Sequence, residues 1–180
     1  LALELVHGYQ WLWAADAPLL AIAGTWLWRN WPRAGGDGGM RGNPPQRALL
    51  NVLFLGYSWL PVAFALYSAQ SAIYALHGDF LLGRAPAHAM FIGFFGSLLV
   101  AMVTRVTQGH SGRPLELGRA ATFAFVALQL VALARIVAEL APDPMAWQAA
   151  AAAGWLLAFA PWVLRSLRIY ATPRIDGRPG

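Results

Sequence analysis

Long apolar runs, separated by short stretches marked with glycine, proline and arginine, organise this chain. About twenty apolar residues carry an α-helix across a bilayer, because each residue rises 1.5 Å through roughly 30 Å of hydrocarbon. Five segments reach or approach that length: 3–28, 48–76, 86–108, 119–140 and 145–168. The first is the least uniform, with Glu4, His7, Asp16 and Pro18, whereas the second carries no charge. The pattern predicts an all-α, polytopic transmembrane helical bundle of about five helices, forming a single membrane domain over 1–180.

Composition agrees. Hydrophobic residues make up 58% of the chain and charged residues only 12%, whereas about a quarter of the residues in a soluble domain are charged. A surface so poor in charge suits lipid. The chain has no cysteine, which excludes disulfides and thiolate metal sites, so a transition metal needs imidazole, carboxylate or thioether ligands. The net charge of +5 does not imply a nucleic-acid partner, since the arginines sit in short loops and the tail. The start, LALELVHGYQ, has neither a methionine nor a basic leader. It is expected to follow further N-terminal helices of the same protein, which with membrane lipid would be its first partners.

Arginine placement predicts orientation. Arg29, Arg33, Arg41 and Arg47 fall in 29–47, Arg113 and Arg119 at 109–119, and Arg165, Arg168, Arg174 and Arg178 at the C-terminal end. The alternate connections hold Arg84 against Asp79, and Asp143 alone. The positive-inside rule then makes 29–47 a cytoplasmic loop and 169–180 a cytoplasmic tail, with 77–85 and 141–144 outside. Trp26, Trp28, Trp31, Trp147 and Trp162 fit interfacial belts.

Chemistry concentrates on the third helix. Ala89, Gly93, Ser97 and Ala101, four apart, form a face nearly free of side chains, suited to helix packing or to a flat cofactor. His88 and His110 stand at its two ends, 22 residues apart, a span of about 33 Å that rules out a shared metal. On the outer side, His7, His77 and Asp79 are expected near His88, and convergent imidazoles suit copper or haem iron. At the inner end, Arg105 sits within an apolar helix among Thr104, Thr107, Gln108 and His110. Either it snorkels to headgroups, or with Arg113 it binds an acidic group such as a haem propionate beside a His110 ligand. Gly109 and Gly112 are placed to cap the helix. Arg135 and Glu139, four apart, can pair on one helix face, and Gln129 and Asn51 can bond across helices.

The stretch HAMFIGFFGSLLVAMVTRVTQGHSGRP (88–114), with PRIDGRPG (173–180), resembles the C-terminal part of the NnrS family. That family's pattern opens this helix with histidine and closes it with M-T-R-V-[ST]-x-G-H-[ST]-G-R. Here the run reads MVTRVTQGHSGR, with an extra valine between Met102 and Thr104. The matching motif positions are His88, Arg105, His110 and Arg113. The resemblance implies a haem- and copper-containing bacterial inner-membrane protein linked to nitric oxide and nitrosative stress. On this reading His88 and His110 ligate metal and arginines neutralise propionates, with His7 and His77, placed by the predicted orientation, as the other histidines completing the sites. Nitric oxide or metal–nitrosyl species are the implied small-molecule partners.

Two other readings stay open at this point. One is a transporter or permease module, with Pro61 or Pro161 serving helix motion. The other is a structural membrane subunit without a redox cofactor. Turnover, electron transfer and limitation of nitrosyl damage are equally open, and no hydrolase constellation is present in the sequence.

Overall fold

The computed structural model describes residues 7–31 and 44–177. Glu4, the 32–43 part of the first loop with Arg33 and Arg41, the Arg47 side chain, and Arg178 lie outside the described residues. All regular structure among the described residues is helical: α1 (Trp13–Asn30), α2 (Pro44–Tyr57), α3 (Trp59–His77), α4 (Ala85–His110), α5 (Arg119–Ala138) and α6 (Pro144–Tyr170). The all-α bundle read from the sequence is therefore what the structure shows.

Among the described residues, four helical spans are long and apolar enough to cross a membrane: Ala48–His77, α4, α5 and α6. In α1, the 18 helical residues include Asp16 in the first turn and Arg29 in the last, and the turn Tyr9–Trp11 precedes them as a separate 3₁₀ element. Gly8, with φ 82° and ψ 170°, takes a backbone conformation open to glycine just before that turn.

Proline explains the division of the second span. Pro61 has no N–H to give the Tyr57 carbonyl, so the helix breaks at Ser58, where α2 gives way to α3. The Ser58 hydroxyl closes the break by donating to the Leu55 carbonyl at 2.6 Å. Pro161, by contrast, sits inside a continuous α6.

Helices pack as α1 on α3, α2 on α4, α4 on α5 and α5 on α6. Small residues make this possible. Ala89, Gly93, Ser97 and Ala101 are all buried, so the face read from their spacing is a packing surface. Gly93 lies directly against the Trp59 indole, and a side chain on Gly56 would collide with Ser97. Helix α4 widens into π geometry over Ala89–Gly96, opposite Trp59. The core beside it contains Val100, Ala124, Phe125, Leu128, Phe159 and Trp162. Elsewhere large apolar side chains such as Phe91, Leu130, Leu156 and Leu164 are exposed, the surface that hydrocarbon would cover. Trp162 is not a belt residue: it is buried and donates Nε1–H to Thr104 Oγ1 at 2.9 Å, a partner that a buried indole requires.

Candidate functional site

Among the described residues, three polar clusters interrupt the apolar bundle, one at each end and one midway. Each is built by residues from different helices.

At the first end, α4 begins with Pro86 near its N-terminus, where a missing N–H costs nothing, and this places His88 one turn in. Its Nε2 lies 3.2 Å from Glu139 Oε1 and 3.1 Å from Arg135 Nη2. Glu139 follows the last residue of α5, and its other carboxylate oxygen accepts the Arg84 N–H at 3.1 Å. Gly83, with φ 48°, allows the loop to pass flush against that carboxylate. A guanidinium needs the Nε2 lone pair, whereas a carboxylate needs an Nε2 proton, so one nitrogen serves only one of them at a time. Arg135 and Glu139, expected to pair along their own helix, instead both turn to His88; the ion pairs among the described residues are His88–Glu139 and Arg174–Asp176. Helical spacing brings the two charges to one face, but the imidazole from α4 lies between them.

The loop that feeds this cluster is held by Gln70, buried on α3. Its Oε1 accepts the Leu82 N–H at 2.7 Å, and its Nε2 donates to the Gly83 carbonyl at 3.3 Å. His77 ends α3 and is exposed, capped by left-handed Gly78. His7 is exposed as well. Among the described residues no three histidine, aspartate or glutamate side chains gather closely enough to hold a metal ion. The convergence of His7, His77, Asp79 and His88 expected from their common end is thus not assembled here. His7 and His77 each lie beside a positive-φ glycine, Gly8 and Gly78.

The middle cluster joins three helices. Trp59 donates to Gln129 Oε1 at 2.5 Å, and Gln129 donates to Ser97 Oγ at 2.9 Å. Gln129 therefore bonds across helices as its sequence position suggested, while exposed Asn51 does not enter this network.

At the opposite end, α4 presents two faces. Thr104, Thr107 and Gln108 are buried; Arg105 and His110 are exposed. The polar residues that flank Arg105 in sequence point away from it, because helical rotation separates neighbours by about 100°. Thr107 shares a hydrogen bond of 2.8 Å with the Tyr170 hydroxyl. Gly112, φ 71°, closes α4 in a left-handed turn, and Arg113 N–H returns to the Gln108 carbonyl at 3.0 Å. Gly109 stays within the helix. Arg113 Nη2 donates to Thr172 Oγ1 at 3.4 Å, while its Nη1 is buried with no hydrogen-bond partner among the described residues.

These residues differ in their fitness as metal ligands. His110 has an exposed ring without a bonded partner among the described residues, so either nitrogen can ligate. His88 has its Nε2 committed, so it fits only through Nδ1, the arrangement in which a carboxylate backs a ligating imidazole. Sequence reasoning missed Gln70 and Gln108 as loop anchors and Glu139 as the partner of His88. The available signal was an uncharged amide, or a lone carboxylate, at the edge of an apolar run.

A helical bundle with lipid-ready flanks and polar clusters at both ends defines a polytopic integral membrane protein. The NnrS protein family model matches residues 1–174, and the chain belongs to that family. No curated protein and no solved structure matches it.

Proposed function

We propose that this chain belongs to a haem- and copper-binding protein of the bacterial inner (cytoplasmic) membrane that serves the response to nitric oxide and nitrosative stress. Its C-terminus is on the cytoplasmic side. The observation that carries this reading is NnrS family membership across residues 1–174.

The side chains support it as follows. Glu139 holds the His88 ring so that Nδ1 is the available ligand atom. His110 offers an open imidazole five residues after Arg105 and three before Arg113, two cations suited to haem propionates. His7 and His77 are exposed additional ligands. The apolar helices exclude water from the region between the two ends. When bound, haem iron and copper supply one-electron chemistry towards a small diatomic such as nitric oxide.

The test is direct. Full-length protein, solubilised in detergent from cells supplied with iron and copper, is expected to show a haem absorption spectrum and to contain both metals. Colourless protein lacking both metals rejects the proposal.

A further inference from the structure

Two grooves on the lipid-facing side of the bundle meet between α4 and α6. One, about 460 Å³, is lined by Val131, Arg135, Gln148, Ala151 and Ala152 among others. The second, about 480 Å³, runs along Phe91, Phe95, Leu99, Met102 and Phe159. Ile92 and Trp155 line both, so the grooves form one trough with a polar end and a long apolar body. Its shape follows from packing: α5 contacts both the π segment of α4 and α6, while α4 and α6 meet sparsely and diverge. The small side chains of Ala151 and Ala152 leave the floor open.

The polar end has a definite depth. Arg135 lies three residues before the end of α5 and Gln148 four residues after the start of α6, within about 6 Å of the helix ends. That is the level of lipid headgroups. Arg135 contributes one nitrogen to His88. A guanidinium has five N–H donors, and the others have no partner among the described residues, nor does the Gln148 amide. A cation with unused donors above an apolar trough complements an amphiphile that has an anionic head and a hydrocarbon body. None of the trough-lining residues named is an imidazole or carboxylate, although Arg135 also touches the His88 ring.

We propose that the trough is a binding site for a single membrane phospholipid, its phosphate on Arg135 and Gln148 and an acyl chain along Trp155, Ile92 and Phe95. The bound lipid fills the opening between α4 and α6 and completes the bundle there.

The experiment uses full-length protein extracted in mild detergent and weighed by native mass spectrometry. The wild type is expected to carry one phospholipid. After delipidation, phosphatidylglycerol or phosphatidylethanolamine should raise its thermal midpoint, while diacylglycerol, with the same chains and no phosphate, should not. Arg135→Gln is expected to weaken retention roughly tenfold, the factor that one charge-assisted hydrogen bond carries. Ala152→Trp, which fills the floor without altering charge, should abolish retention. Should Ala152→Trp fail to fold, judged by circular dichroism, Gln148→Leu serves in its place and is expected to weaken retention. The proposal is overturned if the wild type carries no phospholipid, if the variants retain it like the wild type, or if diacylglycerol stabilises equally. A tightly held polypeptide in place of lipid overturns it too.

Discussion

Gln108 grips Glu116 at two points: its Nε2 donates to the Glu116 carbonyl at 2.7 Å, and its Oε1 accepts the Glu116 N–H at 2.9 Å. A side-chain amide thus stands in for a neighbouring strand and satisfies a loop peptide next to an apolar bundle. Gln70 does the same for Leu82 and Gly83 at the other end. Backbone groups at membrane depth must find protein partners, and these two amides supply them.

Replacing Gln108 by leucine leaves the Glu116 N–H without its partner, while the Glu116 carbonyl keeps the Gly118 N–H at 3.1 Å. The expected loss is about 1–3 kcal/mol, from one stranded polar group. Thermal unfolding in detergent, followed by circular dichroism, measures it. Gln108→Glu, which keeps the acceptor and loses the donor, should cost less.

Gly93 and Trp59 touch so closely that a Cβ on Gly93 has no room. Gly93→Ala is therefore expected to destabilise the protein by about 1–3 kcal/mol through overpacking. Adding Trp59→Leu should recover part of that loss, because the indole is what the new methyl meets. A double-mutant cycle with strictly additive effects would show that the two residues are not coupled.

Glu139 bonds both His88 and the Arg84 backbone. Glu139→Ala should release the 83–88 segment, seen as faster hydrogen exchange at the Arg84 amide. Glu139→Gln keeps an acceptor for Arg84 and is expected to protect that amide better than alanine does. Equal exchange in both variants and the wild type would remove Glu139 as the anchor.

Metal content separates the ligand candidates. His110→Ala and His88→Ala are each expected to lower bound metal and alter the absorption spectrum. Glu139→Ala should weaken the His88-dependent metal by about 10–100-fold, the usual effect of losing a carboxylate behind a ligating imidazole. Full metal content and an unchanged spectrum in both histidine variants would reject the ligand assignment.

Reporter fusions test the orientation. A reporter within 77–85 should be active only outside, and one within 109–118 or after Thr172 only in the cytoplasm, as the arginine bias requires. Activity of the 77–85 and 109–118 fusions on the same side would contradict the arrangement.

Much of the architecture was legible in one dimension because bilayer thickness and helical rise convert apolar run length directly into spanning helices. The small-residue face of α4 and the left-handed turn at Gly112 were local properties of the same kind, whereas the 48–76 run was read as one helix and its break before Pro61 was not foreseen. Interhelical partners were not. From sequence, Arg135 and Glu139 were each other's natural partners, Trp162 was an interfacial residue, and Arg105 stood among threonines. In the bundle, His88 intervenes between the first pair, Trp162 turns inward to Thr104, and Arg105 faces away from Thr104 and Thr107.

The sequence by itself determined that this chain is a helical membrane protein with imidazoles and arginines near the ends of its apolar runs. Hydrophobic length and residue type suffice for that, since each helix satisfies its own backbone in lipid. Tertiary structure alone decided which ring nitrogen of His88 is engaged, which loops the buried amides hold, and where α4 and α6 leave a trough. Those outcomes depend on helix rotation and crossing, which are settled by side chains far apart in sequence meeting at one point.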